Sequence, residues 1–164
     1  MAERTDTQVD DGTAPAPSAP RWASWVSWPL ALAGVGLSAY LTYVHYTAPA
    51  SLACPDTGIV NCTKVTTSPE SMLFGVLPVA LAGLVYFVVM AALVSPWGWR
   101  SHSAMLRWVR LLGAGAGLLM VLYLIYAEFG IIGALCLYCT VVHAVMVALF
   151  VAVLAAHLLH PLDQ

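Results

Sequence analysis

Apolar residues in this chain come in long unbroken blocks, not in alternation. Stretches free of Asp, Glu, Lys and Arg run over 25–46, 72–94, 111–127 and 131–159. Each reaches or approaches the ~20 residues needed to cross a hydrocarbon core of ~30 Å. Lipid offers the backbone no hydrogen-bond partners, so these stretches predict helices. The third gains length from 105–109, with Arg107 and Arg110 expected to snorkel to the interface. The expectation is an all-α integral membrane protein: a four-transmembrane-helix bundle with spans at about 25–46, 72–94, 105–127 and 134–158. An extracytoplasmic loop, with room for a short helix, joins the first two spans. The first run is too long for the roughly 7–15 apolar residues of a signal peptide. Ser51-Leu52-Ala53-Cys54 also misses the spacing of a lipoprotein cleavage site by one residue. The first helix is therefore expected to be retained.

Composition sharpens this. The chain is 61% hydrophobic and 9% charged, with a mean hydropathy of +0.85. A soluble domain carries about a quarter charged residues, so that class is excluded. Residues 1–20 are acidic and Thr-rich, then alternate Ala and Pro. Such a segment buries too little apolar surface to order itself, and a disordered cytoplasmic tail is expected. The membrane domain is placed at 21–160. Arg21, Trp22, Trp25 and Trp28 mark an interface, and Pro29 is expected in the first helical turn, where a missing N–H is harmless.

Charge sets orientation. The 95–110 connection holds Arg100, Arg107 and Arg110 with Trp97, Trp99 and Trp108, and the N-terminal side holds Arg4 and Arg21. The opposite face has Lys64 against Asp56, Glu70 and Glu128. The positive-inside rule then puts both termini in the cytoplasm and the 47–71 loop and 128–133 turn outside. Gly113, Gly115 and Gly117 include a G-x-x-x-G, which is expected to allow close helix packing within the bundle.

Four cysteines fall on that outer face, where disulfides persist. Cys136 and Cys139 form a C-x-x-C after Gly130 and Gly133, at the predicted start of the last helix. A helix N-terminus favours anions and lowers a thiol from its usual pKa of about 8.5. Positions i and i+3 share a helix face. Cys54 and Cys62 lie in the loop, where Pro55, Asp56 and Gly58 make a turn that can bring their sulfurs together. Two exchanging dithiol pairs fit this arrangement, and structural disulfides or a four-cysteine zinc site are the alternatives. The eight-residue spacing suits zinc poorly, and no metal site is expected. A lipid-side electron acceptor must take two electrons and two protons, which a quinone does.

These residues resemble the vitamin K epoxide reductase family, in its bacterial form. The resemblance rests on the loop cysteines eight apart, Cys62-Thr63-Lys64-Val65 with Ser68, Leu73-Phe74-Gly75 opening the second span, and the C-x-Y-C of the fourth. It covers roughly 25–158. It implies a DsbB-like role, in which the chain oxidises a separate thioredoxin-like (DsbA-like) protein and passes the electrons to a membrane quinone, menaquinone or ubiquinone. By resemblance, Cys54 trades disulfides with the partner, Cys62 exchanges with Cys136, and Cys139 stands beside the quinone. Ser68 corresponds to a hydroxyl near the active site, and Phe74 lines the quinone pocket. Ser71 stands where vertebrate members have an asparagine, and His143 where they have a tyrosine. Both departures favour plain quinone reduction over epoxide reduction. A bacterial inner (plasma) membrane, a monomer and no nucleic-acid partner are expected.

Two ionisable groups complete the picture. His143 lies four residues beyond Cys139, roughly 6–10 Å deeper than the pair at 1.5 Å per residue, and is expected to serve a quinone carbonyl. Glu128 is expected to be a solvated interfacial carboxylate, with proton relay as the sharper alternative. His45, His157 and His160 are expected at interfaces. The rival functions are a dithiol exporter running the other way and a non-catalytic transporter or assembly factor. Nearly chargeless spans without repeat halves speak against a transporter.

Overall fold

The computed structural model describes residues 21–47, 52, 54, 57–73, 75–101 and 103–159. The tail expected at 1–20, Phe74 and His160 lie outside the described residues. Four long helices dominate: α1 (Arg21–Thr47), α3 (Val79–Leu93), α5 (Ala104–Tyr126) and α6 (Leu137–Leu159). Between them come α2 (Cys62–Thr66), a 3-10 turn (Pro69–Ser71), the short strands β1 (Met72–Leu73) and β2 (Leu77–Pro78), and α4 (Pro96–Arg100). A π-helical turn (Ala127–Ile132) extends α5. Helix α1 packs on α3 and α6, α6 on α5, and α5 on α3, which closes a ring of four.

Two helices among the described residues are long and apolar enough to cross a membrane: Ala104–Ile132, of 29 residues, and Leu137–Leu159, of 23. Helix α1 is longer than α6, with 27 residues, but carries Ser, Thr and Tyr along its length. Helix α3 differs most from expectation. It starts at Val79, not Met72, and its 15 residues rise about 22 Å at 1.5 Å per residue. The apolar segment before it folds back as an antiparallel pair, Met72 opposite Pro78 and Leu73 opposite Leu77. Gly75 turns it at φ +71°, a left-handed conformation that glycine adopts without steric cost.

Pro29 is not in the first turn, because α1 begins at Arg21. It sits in the helix interior, where its absent N–H leaves the Trp25 carbonyl without its helical donor. Arg110 also departs from expectation. It is 3% exposed, donates Nη2 to the Gly98 carbonyl at 2.7 Å, and lies 4.3 Å from the Trp99 ring centre. A guanidinium held by a carbonyl and an aromatic face has no need to reach outward. Trp99 in turn donates Nε1–H to Ser27 Oγ at 3.2 Å, tying α4 to α1.

Small residues set the helix spacing. A Cβ on Gly34 would run into the Phe87 ring of α3, and one on Gly117 into Tyr86 and Met146. Gly113 lies 3.2 Å from Met90 Sδ by the same measure, while Gly115 meets nothing within 4 Å. Two of the three α5 glycines thus serve packing inside the bundle. Tyr86 Oη adds a bond to the Gly113 carbonyl at 3.0 Å.

Gly34→Ala should destabilise the fold by about 1–3 kcal/mol, because the Phe87 ring is buried and must move. Gly36→Ala, with nothing within 4 Å, should be neutral or slightly stabilising. Thermal unfolding of the two variants in detergent checks the contrast, and equal melting temperatures would refute it.

Candidate active site

A short stretch of backbone pairing brings the cysteines together. Val60 and Leu135 form a parallel bridge. In it the Leu135 N–H donates to the Ile59 carbonyl at 2.8 Å, and the Asn61 N–H donates to the Leu135 carbonyl at 3.0 Å. Asn61 immediately precedes Cys62, and Leu135 immediately precedes Cys136. Asn61 also caps α2, its side-chain oxygen accepting the Lys64 N–H at 2.8 Å, which satisfies one of the orphan donors of a helix start. Cys62, at the first position of α2, is 1% exposed. It is joined to Cys54 in a disulfide, with Cα atoms 6.0 Å apart. Those two sulfurs are therefore not thiolate ligands for zinc.

The second pair is set by two helix ends. The π-helical turn stops at Gly133, whose φ of 62° is left-handed. Three residues on, Cys136 takes the N-cap position of α6. Its carbonyl accepts the Thr140 N–H at 2.9 Å, and its Sγ accepts the Cys139 N–H at 3.2 Å. A sulfur here replaces the oxygen of an ordinary cap and faces the positive end of the helix dipole. Cys136 precedes the membrane-length segment. Hydrogen bonding from Cys139 draws its thiol below the usual value, against the opposing pull of burial. Cys136 and Cys139 are free thiols, the first fully buried, the second half-buried. Cys62 and Cys136 share one apolar cluster with Leu41, Val44 and Val65, with Cys54 and Cys139 packed on it.

Beside this cluster lies a cavity of about 350 Å³ between the four long helices. Its wall is largely aliphatic, with a few polar groups, the general make-up of a small-molecule pocket. Of the residues expected to meet a quinone, Cys139, His143, Ser68 and Ser71 all line it. Ser68 donates its hydroxyl to the Val65 carbonyl at 2.8 Å, and Ser71 to the Ser68 carbonyl at 2.7 Å. Both hydroxyl protons are engaged locally, which leaves only acceptor lone pairs for a ligand. His143 is 7% exposed and makes no hydrogen bond among the described residues. A buried imidazole without a partner is costly.

Glu128 corrects the expectation of a solvated carboxylate. It is 4% exposed, lines the same cavity as Cys139, and lies close enough for its charge to act on both free cysteines. The sequence carries a signal for it: Glu128 is the one Asp, Glu, Lys or Arg between Arg110 and Asp163. His45, Glu70 and Tyr86 also line the cavity. Nothing in their spacing marks them as site residues, because they come from three separate elements.

A buried dithiol held against a disulfide, in an apolar helical chain, defines a membrane thiol oxidoreductase. The chain belongs to the vitamin K epoxide reductase family, whose model matches residues 25–154. Comparison with individually curated proteins gave no match.

In the reduced protein, Cys139→Ala removes the side-chain hydrogen bond that favours the Cys136 thiolate. Losing a stabiliser of the charged form raises a thiol pKa. The thiolate absorbance of Cys136 should therefore appear at higher pH in the variant than the first thiolate of the wild type. An unchanged or lower titration midpoint would contradict this geometry.

Proposed function

We propose that this chain is a thiol oxidase of a bacterial plasma membrane, using a membrane quinone as electron acceptor. In this reading α1, α3, α5 and α6 all cross the bilayer. Helix α3 is short for a crossing, and the β1–β2 pair completes its depth. Both termini face the cytoplasm, as the arginine bias suggests, and the cysteines lie at the extracytoplasmic surface. The chain acts as a monomer.

The order of electron transfer is the one that the family resemblance implies, and the burial of Cys62 and Cys136 supports it. A thiolate of a separate thioredoxin-like protein attacks the Cys54–Cys62 disulfide at Cys54, and Cys62 leaves as thiolate. The partner's second thiol then releases it as its own disulfide, and Cys54 and Cys62 are left reduced. Cys62 next attacks Cys136 of an oxidised inner pair, and Cys139 leaves. Cys54 resolves the Cys62–Cys136 bond, restoring the outer disulfide. The state in the structure, with Cys54–Cys62 joined and Cys136 and Cys139 free, is the product of that internal exchange. The inner pair returns to a disulfide by giving two electrons and two protons to the quinone.

One observation carries the choice of acceptor. Cys139 and His143, which makes no hydrogen bond among the described residues, open into the same apolar cavity. A quinone ring fits the aliphatic wall, and its carbonyl supplies the acceptor that an imidazole N–H lacks. His143 would hold that carbonyl, and Cys139 would face the ring. The apolar wall excludes water, which keeps the thiols from wasteful reaction.

The purified protein, supplied with a reduced thioredoxin-like protein, should bleach quinone absorbance catalytically. No bleaching with the wild type would sink the oxidase reading. Cys139→Ala should abolish turnover and, through attack of the free Cys136 thiolate on Cys62 of the outer disulfide with Cys54 leaving, accumulate a Cys62–Cys136 disulfide detectable by mass spectrometry; retained activity would refute the order of exchange. His143→Ala should raise the apparent KM for quinone about tenfold, the equivalent of one lost hydrogen bond. The KM for the thiol partner should not move, and an unchanged quinone KM would remove His143 from the binding site.

A further inference from the structure

We infer that Glu128 is a catalytic proton carrier, taking the proton of the Cys139 thiol and passing it to the quinone. This role rests on the quinone reading above and falls to a residue that the cysteine chemistry leaves unnamed.

Burial makes this carboxyl group expensive. Taking a carboxylate out of water costs several kcal/mol unless it is paired. Glu128 is 4% exposed, yet it has no salt-bridge partner among the described residues. The groups that feel its charge belong to the C-x-x-C, Cys136 and Cys139, and Cys139 lines the same cavity. Both thiols must lose a proton in the reaction.

Position supports the same role. Glu128 sits in the π-helical turn between α5 and α6, and such turns recur at functional sites. Its own carbonyl accepts the Ala134 N–H at 3.2 Å, which fixes the backbone that carries it. The carboxyl group borders the cavity that Cys139 enters. Of the other ionisable groups on the cavity wall, His45, Glu70, Tyr86 and His143, none bears on either free cysteine, whereas the charge of Glu128 acts on both. Lys64, on the neighbouring α2, is exposed.

The proton balance is closed. Oxidation of Cys136 and Cys139 forms one S–S bond and releases two electrons and two protons. The quinone takes both electrons and both protons and becomes hydroquinone. Glu128, ionised at the start, accepts the Cys139 thiol proton and donates it to a quinone oxygen, ending ionised, and bulk water need not enter the apolar cavity for that transfer. The second proton is the one Cys136 releases to solvent on becoming a thiolate, and the other quinone oxygen takes its equivalent back from solvent.

The test uses the full chain in lipid nanodiscs, reduced with dithiothreitol, freed of reductant and mixed with ubiquinone-1. Glu128→Gln keeps shape and hydrogen bonding but cannot carry the proton. It should slow single-turnover quinone reduction about 100-fold, the usual scale of a lost acid–base group. Glu128→Asp, which keeps the carboxyl, should lose far less. The Cys54–Cys62 disulfide should be reducible by dithiothreitol at the wild-type rate in both variants, which shows that the fold is intact. A second readout needs no quinone. In the reduced-minus-oxidised infrared difference spectrum of the protein alone, a carboxyl band should shift when the Cys139 thiol is lost, and Glu128→Gln should lack that band. Wild-type speed in Glu128→Gln, with quinone still reduced, overturns the inference alone. Absence of the carboxyl band in the wild type overturns it as well. A wild type that reduces no quinone overturns the oxidase reading instead, and the infrared band then decides whether Glu128 and Cys139 are coupled.

Discussion

The active site hangs on two backbone hydrogen bonds, Leu135 N–H to Ile59 and Asn61 N–H to Leu135. They join a loop far along the chain from α6 to the residue just before Cys136. They add directional pairing to the apolar cluster of Leu41, Val44, Cys62 and Val65 that also seats the five-residue α2. With them, Cys62 and Cys136 start their helices side by side. Cys136 caps the 23-residue α6, where its sulfur accepts the Cys139 N–H and faces the positive dipole end.

The rest of the bundle manages polar groups in a medium that cannot solvate them. Ser27 donates to Ala23, Tyr86 to Gly113, and Arg110 to Gly98. Each of these donors is satisfied within protein, as a low-dielectric interior requires. Two exceptions, Arg107 Nε and Arg110 Nε, are buried with no hydrogen-bond partner among the described residues. At the candidate site His143 makes no hydrogen bond among the described residues, and the buried carboxyl group of Glu128 borders the same cavity.

Much of the helical architecture could be read from hydrophobic blocks, because burial in lipid and burial in a bundle demand the same apolar length. Hydrophobic length fails as a guide at α3. Residues 72–78 are as apolar as the helix that follows, yet Gly75 and Pro78 turn them into a small antiparallel pair. Hydropathy measures affinity for lipid and is blind to such turns. Arg110 exposes a related limit. Snorkelling is the usual solution for an arginine near a helix end, but here Trp99 and Gly98 stand within reach, and reach is a three-dimensional property.

The sequence by itself determined the membrane character, the two cysteine pairs and their separate places, in a loop and at a helix start. Those follow from composition, spacing and charge bias, which are local or additive along the chain. Only the tertiary structure decided which groups share a cavity and what each one touches. Glu128 and Cys139 are eleven residues apart with a helix break between them, and no periodicity relates them. The left-handed turn at Gly133 reverses the chain and brings the carboxyl group and the thiol to one cavity. Contact across such a reversal depends on two dihedral angles, and hydrophobic pattern carries no information about those.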